Sequence, residues 1–139
     1  MGKEPQGGRI HVRHEPQTGF TCVVYPPGKL GVDDVEDFFA KLEQYYAPGE
    51  PRFLLCDVRE SAGFTAEARQ AMARRRGYQT TYSANFGGSF AVRAFGSLLI
   101  KAFALTHREV IITLEADEAS ARAWLNDKRR THLANTRSE

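Results

Sequence analysis

PRFLLCDVRESAGFTAEAR, residues 51–69, decides how this chain folds. It opens on Pro51, runs through the apolar block Phe53, Leu54, Leu55, Cys56, and reaches a single carboxylate, Asp57. A short polar turn with Ser61, Gly63 and Thr65 follows, and then an alanine-rich segment. A continuous apolar run of this length between turn signals suits a strand buried on both faces. A strand that feeds a helix through a short polar turn is half of a βαβ unit. Residues 52–58 are therefore read as the central strand and 65–76 as a helix. Thr65 is its N-cap, because a hydroxyl there accepts from an orphan backbone N–H, and Gly77 ends it.

Upstream, residues 9–14 alternate: Ile10 and Val12 lie on one face and Arg9, His11 and Arg13 on the other, the pattern of a half-buried strand. Residues 15–19, with Pro16 and Gly19, read as a hairpin loop. Residues 20–25 form the second strand, stopped by Pro26, Pro27 and Gly28. Residues 32–46 carry the clearest helical pattern. Val32, Val35, Phe38, Phe39, Leu42, Tyr45 and Tyr46 fall in one arc, with Asp33, Asp34, Glu36, Asp37 and Lys41 in the other.

Downstream, Tyr82, Ala84 and Phe86 alternate with Thr81, Ser83 and Asn85, which favours a strand over 80–86. Gly87, Gly88 and Ser89 turn the chain into a third helix, residues 90–105. VIITL, residues 110–114, is another apolar strand. Asp117 caps a last helix that turns Ala121, Trp124 and Leu125 inward, and the polar end from Arg129 on is expected to fray. The order ββαβαβαβα implies an α/β fold: a mixed five-stranded sheet with four main helices and right-handed crossovers. Residues 1–8 read as a disordered or cloning-derived end, 9–129 as the domain and 130–139 as a polar tail.

At 139 residues the chain is one domain by length. With 42% hydrophobic and 26% charged residues it has the composition of an ordinary globular protein. A net charge of +2 is too small to argue for nucleic acid or a membrane surface. The absence of a secretory signal or membrane span in the reading points to the cytoplasm. Cys22 and Cys56 both fall in strands. Reduced thiols are the simplest reading there, a bridge between neighbouring strands the alternative.

Three local patterns, taken with this element order, carry a resemblance. They are FLLCDVR at residues 53–59, GSFAVRAFGSLLIKAF at 88–103 and EASARAWL at 118–125. Together they resemble the STAS domain, the fold of the bacterial anti-sigma-factor antagonists. The closer likeness is to the SpoIIAA-like bacterial proteins, which are also compared with CRAL-TRIO lipid-binding domains. The resemblance spans about residues 9–127. It implies a non-enzymatic interaction or regulatory domain. The alternative is a carrier of a small molecule or lipid, with Phe38, Phe95 and Phe103 lining an apolar cavity. In the antagonists a serine in an Asp-Ser-Ser-Gly-type turn after the central strand is phosphorylated by a partner kinase. Ser61 and Thr65 are the hydroxyls in the corresponding turn here, and neither follows an aspartate directly.

Other sites are read from the residues themselves. Asp57 sits where open α/β sheets bind ligands, at the carboxyl edge; the plainer reading is a turn carboxylate accepting from the backbone of residues 59–63. Gly87, Gly88 and Ser89 are placed to offer N–H groups to an anion or to make a tight turn. There is no GxSxG elbow, P-loop or HExxH. His11 and His14 are an odd number apart on one strand, so they face opposite ways and share no metal; His107 and His132 read as isolated surface residues. Arg74, Arg75 and Arg76 suit a solvated helix end. No cofactor is implied. The third helix has an outer arc of Phe90, Ala94, Ser97, Ile100 and Ala104, poor in charge. That arc is the expected partner surface, a homodimer contact first.

Overall fold

The computed structural model describes residues 9–74, 80–89 and 109–137. Its elements are β1 (His11–Glu15), β2 (Phe20–Val24), β3 (Gly28–Leu30), α1 (Val32–Leu42), β4 (Arg52–Asp57), β5 (Ser61–Phe64), α2 (Ala66–Arg74), β6 (Thr81–Phe86), β7 (Val110–Glu115) and α3 (Glu118–Arg137). The main sheet has the order β1-β2-β4-β6-β7, so the strand that opened the sequence reading is the middle one. β1 and β2 pair antiparallel as a hairpin; β2, β4, β6 and β7 run parallel. This is an α/β fold with a mixed sheet and, among the described residues, three helices. The third helix expected over residues 90–105 lies outside the described residues, as do residues 1–8.

The apolar run of β4 follows from its position. Side chains alternate across a strand, and both faces of this one are covered. Leu54 and Cys56 pack with Ile10, Val23, Phe38, Leu42 and Tyr46 on the α1 side. Phe53 and Leu55 pack with Phe20, Ala84, Phe86, Ala121 and Leu125 on the α3 side. Val35 of α1 meets Ala68 and Ala71 of α2 in a third cluster. On β6 the expected alternation holds: Tyr82, Ala84 and Phe86 join the α3 side.

The structure corrects several expectations. The turn at residues 61–64 is a strand, β5, which pairs in parallel with β3, a segment read only as a strand terminator. Neither element carries the apolar alternation that marks a strand. The first helix stops at Leu42 rather than 46. Its chain then tightens, with Tyr45 N–H donating to Leu42 O at 3.0 Å. Tyr46 consequently turns into the core while Tyr45 stays 38% exposed. Val32, assigned to the inner arc, is exposed too. Asp34, assigned to the outer arc, is buried. It accepts from Gly31 N–H at 2.9 Å at the helix start and from Arg9 Nη2 at 2.6 Å, so its carboxylate is satisfied inside. The polar end does not fray from Arg129; the helix continues to Arg137.

Cys22 and Cys56 are free thiols. Cys22 sits opposite Leu55 and Cys56 opposite Val23 in the β2–β4 register, so the two thiols point to different faces of the sheet. The alternative of a bridge is thereby excluded. The described helices include none long and apolar enough to cross a membrane.

Candidate functional site

At the carboxyl edge of β4, Asp57 is fully engaged by its neighbour. Arg59 donates through its backbone N–H (3.1 Å), Nε (3.0 Å to Oδ1) and Nη2 (2.6 Å to Oδ2). The Arg59 guanidinium holds the Asp57 carboxyl below the usual range. This is the turn-carboxylate arrangement, although the donor is Arg59 alone rather than the backbone of residues 59–63. Gly87, just after β6, has φ +96° and lies against the Arg59 stem; a Cβ there would stand 2.1 Å from Arg59 Cγ. Glycine at 87 is therefore required by both the backbone and the close approach. Gly88 and Ser89 follow at the same edge.

The hydroxyls singled out for phosphorylation have structural duties. Thr65 Oγ1 accepts from Ala68 N–H at 3.0 Å and caps α2 as the sequence implied. Ser61 Oγ accepts from Gly63 N–H at 3.1 Å within β5. The expected interface residues Phe90, Ala94, Ser97, Ile100 and Ala104, and the cavity residues Phe95 and Phe103, lie outside the described residues. Phe38, the third cavity residue, is in the packed core.

A different feature occupies the opposite edge of the sheet, where the parallel strands begin. A groove of about 390 Å³ runs between the β1–β2 turn, the end of α1, the start of β4 and the outer half of α3. His14 forms one wall. Its ring stacks on Tyr45 (centroids 5.1 Å apart, planes 11°) and meets Tyr46 edge-on (5.6 Å, 89°). Its Nδ1 lies 2.9 Å from Thr21 Oγ1, which is 2.7 Å from Tyr46 Oη. Tyr46 Oη has Gly19 O (3.2 Å) and Phe53 O (3.3 Å) as acceptors for its single proton and accepts from Phe53 N–H, which ties the segment after α1 to the starts of β2 and β4. Burial raises the Tyr46 pKa.

The far wall belongs to α3: Arg129, His132 and Leu133. Arg129 donates to Thr18 O and lies over the Phe20 ring at 5.5 Å. His132 meets Tyr82 edge-on at 6.3 Å. Leu133 is 50% exposed. Glu50 and Pro51 close the third side, with Glu50 Oε1 accepting from Ala47 N–H at 2.6 Å.

Besides the packing of Ala121 and Leu125, a half-buried ion pair ties the start of α3 to the end of β1. Glu15, at the end of β1, accepts from Arg122 Nη1 at 3.0 Å and Nη2 at 2.7 Å, from Thr18 Oγ1 at 2.9 Å and from Cys22 Sγ at 3.3 Å. The Arg122 fork pulls the Glu15 carboxyl down to about 2.

Sequence reasoning missed this site. It read His14 only as unable to share a metal with His11, read His132 as an isolated surface residue, and placed Tyr45 in the apolar arc of the first helix. The usable signal was Ala47, Pro48 and Gly49 directly after the pair Tyr45-Tyr46: a helix stop so close leaves these two tyrosines off the regular helical spacing that put both in the apolar arc. Burial raises both thiols, Cys22 also through its bond to Glu15 and Cys56 to about 11, the reverse of an activated cysteine. Among the described residues no three His, Cys, Asp or Glu side chains gather to hold a metal ion.

One similar solved structure is an uncharacterized protein of the DUF3478 family with a SpoIIAA-like fold, from Shewanella loihica PV-4. It shares 16% sequence identity with this chain, with a TM-score of 0.61 over 84% of this chain and 91% of that one. No protein-family model matches the sequence, and no curated protein is significantly similar to it. The chain therefore has a SpoIIAA-like, STAS-type fold.

Proposed function

We propose that this is a non-enzymatic STAS-type binding domain that acts by engaging another protein, a second copy of the chain included. The observation that carries the reading is the groove at the amino edge of the sheet, which brings two exposed apolar side chains, Tyr45 and Leu133, to one place. Apolar groups gathered on an outer surface favour being covered by a partner. The ionisable groups support binding over catalysis. Glu15, Asp34 and Asp57 are each committed to an arginine, and a carboxyl held low by such a pair is a poor general acid or base near neutral pH. The carrier alternative gains nothing from Phe38, which packs against the sheet.

Native mass spectrometry of protein purified from its own cell tests the proposal, comparing wild type with a Tyr45→Glu, Leu133→Glu double variant. A protein adduct or dimer in the wild type, lost in the folded variant, is expected. A bare monomer in both refutes the reading, and a bound small apolar molecule in place of protein points to the carrier.

A further inference from the structure

We propose that the groove recognises a short acidic segment of the partner, one that places an aromatic side chain beside an aspartate or glutamate. The inference rests on the binding-domain reading above and adds the chemistry of what is bound.

Shape argues for a segment of a larger molecule. The groove has room for a side chain or two, and its rim residues Tyr45, Glu50 and Leu133 are exposed. Small-molecule sites bury most of their ligand; this open trough does not. A side chain presented by a protein is covered on its outer side by the rest of that protein. An aromatic group suits the lining, because the stacked His14–Tyr45 pair and the Tyr46 and Phe53 rings offer both faces and edges.

Charge argues for the acid. Arg9, Arg59 and Arg122 each rest on a carboxylate. Arg129 does not: its guanidinium meets the Thr18 carbonyl, the Asn126 amide oxygen and the Phe20 ring, and no carboxylate among the described residues. It is partly buried, bonded to Thr18 O and set over the Phe20 ring, so less side-chain freedom remains to be lost on binding. Arg129 is the cation of the groove lining, while the acidic member, Glu50, comes from the segment before β4 and accepts from Ala47 N–H. A carboxylate entering beside α3 would complete the site, and an ionised partner strengthens each hydrogen bond it accepts.

The test is selection of displayed random peptides on the immobilised full chain, in parallel with the Tyr45→Glu, Leu133→Glu variant. Peptides enriched on the wild type alone are synthesised and measured by calorimetry. The expected motif is Asp or Glu next to Phe, Tyr or Trp. Changing that acid to its amide should weaken binding about tenfold, Arg129→Gln should do the same, and the two changes together should add little more. Arg130→Gln, on the same helix but outside the groove, should leave affinity unchanged. The amide peptide probes the charge without altering the protein, so an Arg129→Gln chain that fails to fold still leaves a decisive measurement. Groove-dependent peptides without an acid, or an amide peptide that binds equally well, overturn the acidic partner and leave the binding domain standing. If no peptide depends on Tyr45 and Leu133, both fall.

Discussion

Replacing Glu15 by glutamine should destabilise the domain at neutral pH and do so progressively less in acid. The Glu15 side chain is 7% exposed and receives both Nη groups of Arg122. Its carboxyl falls from an ordinary 4.5 to about 2. At roughly 1.4 kcal/mol per pH unit that drop sets an upper bound of about 3 kcal/mol. Arg122 is 31% exposed and also bonds Glu118, so solvent screening brings the expected loss to roughly 1–2 kcal/mol. The sign follows from the direction of the shift. A carboxyl whose folded pKa is depressed contributes stability above its unfolded pKa and loses it as pH falls toward the folded one. The difference between wild type and Glu15→Gln should be full above pH 5, about half gone by pH 3 and absent near pH 2. Urea unfolding followed by the Trp124 signal at pH 7, 5 and 3 measures it. A difference that is the same at all three values, or no loss at pH 7, would refute the assignment of this ion pair as a clamp on α3.

Leu55→Ala opens a hole between β4 and α3 at a side chain 3% exposed, and should lower urea stability by about 2–5 kcal/mol; a loss well under 1 kcal/mol would show that Leu55 is not central. Thr65→Ala removes the cap on α2 and should cost about 0.5–2 kcal/mol, with Thr65→Ser nearly neutral; equal stability of all three forms in thermal unfolding would contradict the cap. Gly87→Ala should cost about 1–3 kcal/mol through its positive φ and the Arg59 contact. An Arg59→Ala background should recover only the contact part, and full recovery would show that the backbone there carries no strain.

The sheet was legible because its strands obey simple rules. β4 and β7 are apolar runs, β1 and β6 alternate, and the register of β4 against β2 and β6 puts Leu54 and Leu55 on opposite faces as their burial demands. β3 and β5 were not legible, because each is short and polar and exists through its pairing with the other. Asp34 and Glu15 escaped for a related reason. A buried carboxylate is stable only beside its arginine, and Arg9 and Arg122 are 25 and 107 residues away along the chain. The groove was hidden in the same way: its walls come from four separate segments, and only the end of α1 shows in the sequence that something unusual happens there.

The link from Glu15 to Arg122 also sets the order of events when the chain is made. It ties the first strand to the last helix, and Arg129 repeats the tie at Thr18 across 111 residues. Such distant pairings form late, because the loop between the two ends must be closed before any contact rewards it. On a ribosome the hairpin and β4 emerge first. Phe20, Phe53 and Leu55 lack their neighbours Ala121 and Leu125 until residues 118–137 arrive. A chain stopped just before α3 is missing that part of its apolar cover, and transiently exposed apolar surface of this kind favours aggregation.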